Sequence, residues 1–174
     1  VYIDFPGETM GLSMDADAAK AMIYTVNDPC PAMVPSQTSV DTAMKLLAGA
    51  KNPWIILGKG AAYAQADEEI QNFIHATGIP FQPMSMAKGL LPDDDPLATL
   101  SCRGLAMRTA DVVLLVGARL NWMLQFGKGK KWNPDVKFIQ IEIDPAEIDN
   151  SRYIDAPIVG DIKSTMKMMN EALK

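Results

Sequence analysis

Apolar residues gather along the chain in short runs separated by stretches of helical period. The runs are "WIILG" (54–58), "IPFQPM" (79–84), "DVVLLVG" (111–117), "KFIQIEID" (137–144) and "APIVGD" (156–161). Each has the length of a strand, and those at 54–58 and 111–117 are apolar at consecutive positions, as strands buried on both faces are. Between the first two, "AQADEEIQNFIHATG" puts Ile70, Phe73, Ile74 and Thr77 on one helical face and ends at Gly78, a residue suited to a helix stop. Strand, helix, strand at this spacing is the βαβ unit of a parallel sheet. Upstream, "SQTSVDTAMKLLAGA" offers Ser36 or Thr38 as an N-cap, Val40, Ala43, Met44, Leu47 and Ala48 at helical spacing, and Gly49 near the stop. "DIKSTMKMMNEALK" closes the chain as an amphipathic helix. The pattern predicts an α/β fold: a doubly wound, Rossmann-like parallel sheet of five to six strands flanked by helices, with 54–58 and 111–117 adjacent at its centre.

The first 35 residues read differently. "VYIDFPGE" (Val1 to Glu8) has the pattern of a short strand stopped by Pro6 and Gly7, and Pro29, Pro31 and Pro35 favour an extended connector over a helix. Residues 1–35 are therefore expected to be the end of a preceding domain and an interdomain linker that packs poorly, and residues 36–174 a nucleotide-binding domain. A start at Val1, inside an apparent strand, suggests a piece of a longer protein.

Composition narrows the function. With nearly half of its 174 residues hydrophobic, the chain can bury one sizeable core. A net charge of −5 argues against a nucleic-acid binder, so any anionic ligand must be held by local cations. Cys30 and Cys102 are far apart and in no metal-ligand spacing, which favours reduced thiols in a cytoplasmic chain, with a bridge between them left open. No apolar run approaches the roughly eighteen residues of a membrane span.

Chemically specific residues recur where the strands end. Open parallel sheets bind ligands at the carboxyl ends of their strands, where loop amides point outward. The first run ends in Gly58, Lys59, Gly60 and Ala61, the third in Gly117, Ala118 and Arg119. The fourth carries Glu142 and Asp144, and the fifth ends in Gly160 and Asp161. Two cations could hold a diphosphate while the acids meet a ribose diol. Taken singly, each has a plainer reading: Gly-Lys-Gly is often only a turn, Arg119 could pair with Glu142 or Asp144, and Glu142 could face solvent on an edge strand. Their recurrence at one end of the sheet favours a nucleotide site. His75 reads as solvated and without partners for a triad or a metal site. "PDDDP" (92–96) reads as a solvated loop, and Met44, Met166, Met168 and Met169 as helix packing. "FGKGKKW" (126–132) reads equally as a solvated loop and as a loop near a phosphorylated ligand.

Four stretches, "LGKGAAYAQAD", "GIPFQPMSMAKGLLPDD", "VVLLVGARLNWMLQFGKGKKW" and "FIQIEIDPAEID…APIVGDIKS", closely resemble the central domain of thiamine-diphosphate-dependent oxalyl-CoA decarboxylases. "GARLNW" also occurs in the related 2-hydroxyacyl-CoA lyases; the "AYAQ", "MAKGLLPD" and "GKGKKW" stretches favour the decarboxylase. The resemblance implies a three-domain parent enzyme, a homo-oligomer that converts oxalyl-CoA to formyl-CoA and carbon dioxide. Its central domain binds ADP as an activator and part of CoA. Carried over by position, the ADP contacts fall on Lys59, Gly60, Arg119, Glu142, Asp161 and Ile162, and the CoA contacts on Leu100, Ser101, Cys102, Arg103 and Gly104, with Arg103 the partner of the 3′-phosphate. Glu142 stands where the resemblance expects an aspartate, and "LSCRG" has less serine than the family's segment. Thiamine diphosphate and magnesium would be bound by the other domains, since "VGDIKS" lacks the continuation of the metal motif. This chain is then expected to hold no catalytic and no metal-ligating residue. The competing readings are the same domain of a 2-hydroxyacyl-CoA lyase or of a flavin-retaining relative such as acetolactate synthase, and a stand-alone dinucleotide-binding protein.

Overall fold

A computed structural model of the chain describes residues 2–24 and 31–174. The chain divides into two compact units, Val1–Pro31 and Ala32–Lys174. In the first unit, the described residues of the strand expected at Val1 to Glu8 do not form one. Its described part is irregular up to Pro6, which sets the backbone for the short helix α1 (Gly7–Met10). α2 (Ala16–Met22) follows, its N-terminus capped by Asp15, whose side chain accepts from the amides of Asp17 and Ala18. The alanine-rich "ADAAKAM" and the Asp15 cap favour this helix; the prolines weighed against one lie further on, and Pro29 and Cys30 fall outside the described residues.

The second unit runs α3 (Gln37–Ala48), β1 (Pro53–Leu57), α4 (Lys59–Tyr63), α5 (Asp67–Thr77), β2 (Phe81–Pro83), α6 (Arg103–Thr109), β3 (Val112–Val116), β4 (Lys137–Glu142), β5 (Ala156–Val159) and α7 (Ile162–Glu171). Ser36 caps α3 by accepting from the Ser39 amide at 3.2 Å, and Gly78 ends α5 in the left-handed conformation. The five strands form one parallel sheet in the order β2-β1-β3-β4-β5, with β1 and β3 adjacent as the apolar runs predict.

Strand alternation divides the core in two. Ile55, Leu57, Leu114, Val116, Ile139 and Ile141 face α3, α5 and α7, meeting Leu47, Phe73, Ile74 and Met166. Trp54, Ile56, Val113, Leu115 and Phe138 face the other way, onto Met107 of α6 and onto Trp132. Trp132 belongs to the lysine-rich loop. Its indole is buried, lies 5.2 Å from the Phe138 ring and 6.1 Å from Trp54 between centroids, and donates to the Leu124 carbonyl at 2.8 Å. The loop is thus pinned by its tryptophan, with Lys128, Lys130 and Lys131 exposed. "PDDDP" is also anchored: Asp95 Oδ2 lies 2.9 Å from His75 Nε2, and Lys88 pairs with Asp93. Among the described residues, no helix is long and apolar enough to cross a membrane.

Candidate functional site

The strands are in step, Leu57 opposite Val116, Val116 opposite Ile141 and Glu142 opposite Val159, so their carboxyl ends form one edge. The order in which strands are added reverses between β1 and β3: from β1 the sheet grows one way to β2 and the other way to β3. Such a switch point opens a crevice, because the connections leave toward opposite faces.

Glycine makes the floor of that crevice. A Cβ at Gly58 would stand 2.5 Å from Ala118 Cα and closer still to the Gly117 carbonyl oxygen, and one at Gly117 would stand 2.5 Å from the Ala61 nitrogen. Gly117 also has φ +57°, a conformation costly for other residues. The backbone after β1 is therefore in direct contact with the backbone after β3. The Gly60 amide donates to the Gly117 carbonyl at 3.1 Å, so Gly60 contributes closeness of approach; its amide is already engaged.

Above this floor lies a cleft of about 350 Å³ lined by Gly58, Lys59, Gly60, Gly117, Ala118, Arg119, Glu142, Asp144 and Glu147, with Met84, Ser85, Met86, Asn121 and Met123 as its less charged wall. Lys59 is exposed at the first position of α4. Arg119 Nη1 donates to Glu147 Oε1 at 2.8 Å, which raises the arginine's pKa further. Glu142 is buried. Desolvation pushes its carboxyl up, opposed by the Ile143 amide that its Oε1 accepts at 3.0 Å, while the negative charge of Glu147 adds to the rise.

Four of the six residues carried over for ADP, namely Lys59, Gly60, Arg119 and Glu142, thus share one cleft. Asp161 and Ile162 do not line it. The Asp161 carboxylate accepts from the Ser164 amide at 2.8 Å to cap α7, and its amide donates to the Met33 carbonyl at 2.7 Å. Ile162 is buried beneath the floor, its Cδ1 packed under Gly60 and Gly117. The CoA segment lies elsewhere. Ser101, Cys102 and Gly104 are exposed and Leu100 and Arg103 half-buried, at the turn into α6. Cys102, a free thiol, lines a separate groove of about 350 Å³ with Lys51, Trp54, Pro80 and Leu105, at the amino ends of the strands. The Arg103 guanidinium turns inward: its Nη2 donates to the Met123 carbonyl and its Nε is buried without a partner.

Sequence reasoning missed Met84, Ser85, Met86, Asn121, Met123 and Glu147. The first three follow β2 directly, so the strand-end rule applied to every run would have found them. Glu147 is three residues beyond Asp144, brought back by a 3₁₀ turn at Pro145–Glu147.

A parallel sheet ordered 2-1-3-4-5, with a glycine crevice at its switch point and Lys59 and Arg119 lining the cleft, defines a doubly wound α/β domain. Residues 40–169 match the family described as "Thiamine pyrophosphate enzyme, central domain", and the chain belongs to that family. It is 52% identical to oxalyl-CoA decarboxylase of Escherichia coli K12 over its whole length, and 38% identical to 2-hydroxyacyl-CoA lyase of Arabidopsis thaliana over 99% of it, spanning 31% of each relative. The fold is shared with solved structures: a protein described as a "putative thiamin diphosphate-dependent enzyme" of Mycobacterium smegmatis superposes on 86% of the chain, and on 30% of that protein, with a TM-score of 0.70 at 20% identity, and benzoylformate decarboxylase of Polynucleobacter necessarius on 86% of the chain, and on 29% of that protein, with a TM-score of 0.68 at 17% identity.

The family name raises the question of the thiamine cofactor itself. Among the described residues, no three His, Cys, Asp or Glu side chains gather as a metal site, and the carboxylate of the one Gly-Asp that resembles the metal motif caps α7. The one Gly-Asp of the described residues is thus committed to capping a helix rather than to a metal.

Proposed function

We propose that this chain is the central domain, residues 36–174, of a cytoplasmic, homo-oligomeric thiamine-diphosphate enzyme that decarboxylates oxalyl-CoA. Residues 1–35 would be the end of the preceding domain and the linker. The domain binds ADP as an activator. The diphosphate lies over the glycine floor between Lys59 and Arg119, and the ribose diol donates to Glu142, which stands where the family's expected residue is aspartate. Asp161 and Ile162 support this site from below. Residues 100–104 meet part of CoA, at the cost of turning Arg103 outward. Thiamine diphosphate and magnesium act on other domains.

The observation that carries the reading is the convergence of Lys59, Arg119 and Glu142 on one glycine-floored cleft at the switch point. The 52% identity to a decarboxylase favours oxalyl-CoA as the parent's substrate, and the 38% identity to a 2-hydroxyacyl-CoA lyase supports the second reading. Calorimetric titration of the chain with ADP, FAD, NAD and CoA is the test. Saturable ADP binding without flavin binding is expected. Tight FAD binding, with a yellow purified protein, would instead assign a flavin-retaining domain, and preference for NAD a dinucleotide-binding protein.

A further inference from the structure

The cation best placed for a diphosphate already holds an anion. Arg119 and Glu147 both line the cleft and are paired at 2.8 Å. Glu147 does not hang from a loose loop: its 3₁₀ turn is capped by Asp144, which accepts from the Ala146 amide at 2.9 Å, and its second oxygen lies 3.5 Å from Asn150 Nδ2. Its side chain is 22% exposed against 48% for Arg119, so the acid is the more firmly seated partner.

We propose that Glu147 is a built-in competitor for the anionic ligand: it occupies part of the guanidinium that a diphosphate needs, and so sets how tightly, and how reversibly, the cleft binds. The proposal rests on reading the cleft as a diphosphate site. Three carboxylates and two cations line the cleft. Glu142 is folded back onto the Ile143 amide and Asp144 onto the Ala146 amide, which leaves Glu147 as the carboxylate whose principal partner is the cation. An incoming diphosphate must displace Glu147 from Arg119 or share the guanidinium with it, and sharing sets a carboxylate beside a phosphate.

The opposite role, in which Glu147 aims Arg119 at the ligand, is the weaker effect. A single N–H to carboxylate bond leaves the other four donors of a guanidinium uncommitted and its stem free to pivot, so little preorganisation is gained. Repulsion between like charges sharing one cation is felt in every bound pose. A site with an internal competitor releases its ligand readily, as a domain that reports nucleotide level must and one that retains a permanent cofactor need not.

The test is calorimetry on the chain with ADP and with inorganic pyrophosphate, comparing wild type, Glu147→Gln, Arg119→Ala and the double variant. Glu147→Gln keeps the shape and removes the charge. It is expected to bind both probes roughly three- to tenfold more tightly, up to about 1.4 kcal/mol, in the range of a partly exposed ion pair, and the gain should vanish when Arg119 is absent. Unchanged or weaker binding by Glu147→Gln, alongside measurable wild-type binding, overturns the competitor. A gain that persists without Arg119 overturns it too, since the effect would then be general repulsion. If neither wild type nor Glu147→Gln binds either probe, the diphosphate reading itself fails and the competitor falls with it.

Discussion

Replacing Gly58 with alanine sets a methyl group against the backbone of Gly117 and Ala118, with the Ala118 Cα only 2.5 Å away. The obstacle is main chain at the ends of two paired strands, which cannot rotate aside as a side chain can, so β1 and β3 must part at their carboxyl ends. Overpacking of this kind costs about 1–3 kcal/mol, against which the stiffer unfolded chain returns roughly 0.4–1 kcal/mol. A backbone clash belongs near the top of the range, giving a net loss of about 2 kcal/mol. For a chain of this length that lowers the melting temperature by roughly 4–8 °C. Gly78 is the control: it has φ +67° and open space around it, so its alanine variant isolates the left-handed backbone penalty of about 1–2 kcal/mol. Gly117 combines both, with φ +57° and a Cβ position 2.5 Å from the Ala61 nitrogen, and should lose about 3–5 kcal/mol. Urea titration and thermal melting of the three variants should rank Gly117→Ala as the most damaging. A Gly58→Ala protein as stable as wild type would refute the argument, since the strand ends would then separate without cost.

Three further outcomes are expected. Arg119→Ala should weaken ADP binding ten- to hundredfold, the loss of charge-assisted bonds of about 1.5–3 kcal/mol, while the ligand-free melting temperature barely moves because its pair with Glu147 is half exposed; a lowered melting temperature with ADP affinity intact would assign Arg119 to structure alone. The His75 hydrogen bond, then the Leu97 amide, hold the Asp95 carboxyl below its ordinary range, so the stability it contributes is present above about pH 4 and lost as pH falls through its lowered pKa. The difference between wild type and His75→Ala in urea titrations should therefore shrink between pH 5 and pH 2.5, and a constant difference would count against the linkage. Given thiamine diphosphate, magnesium and oxalyl-CoA, the chain alone should release no carbon dioxide above background, which a radiolabelled-substrate assay can check.

The sheet was legible because its strands are apolar runs of strand length, three of which are also ended by a glycine, Gly58, Gly117 and Gly160. Ile55 and Leu57 against Trp54 and Ile56 then divide the core by simple alternation. What escaped was anything fixed by distant partners. Trp132 sits among lysines and glycines, and its burial depends on Trp54 and Phe138, which no local pattern links to it. The helix at 16–22 escaped for another reason: prolines further along were allowed to speak for a segment whose own alanines and Asp15 cap decide it.

At the cleft, the side of the sheet and the identity of the cations could be read from strand ends, but the pairing could not. Glu142 and Asp144 are nearer to the strand and looked the natural partners for Arg119, yet each turns to a neighbouring amide, and the arginine meets Glu147 28 positions later. The reason is local geometry. A carboxylate within a residue or two of an exposed N–H closes a short ring with it at little entropic cost, whereas Glu147 has Arg119 within reach once the 3₁₀ turn has swung it back over the cleft. The floor and the charges are therefore separable parts of the cleft: glycines at 58 and 117 shape its floor, and Lys59, Arg119 and Glu147 carry the charges that would set how strongly the proposed ligand is held. Substitution among the charged residues can retune the ligand without disturbing the sheet, while substitution at the glycines disturbs the sheet first.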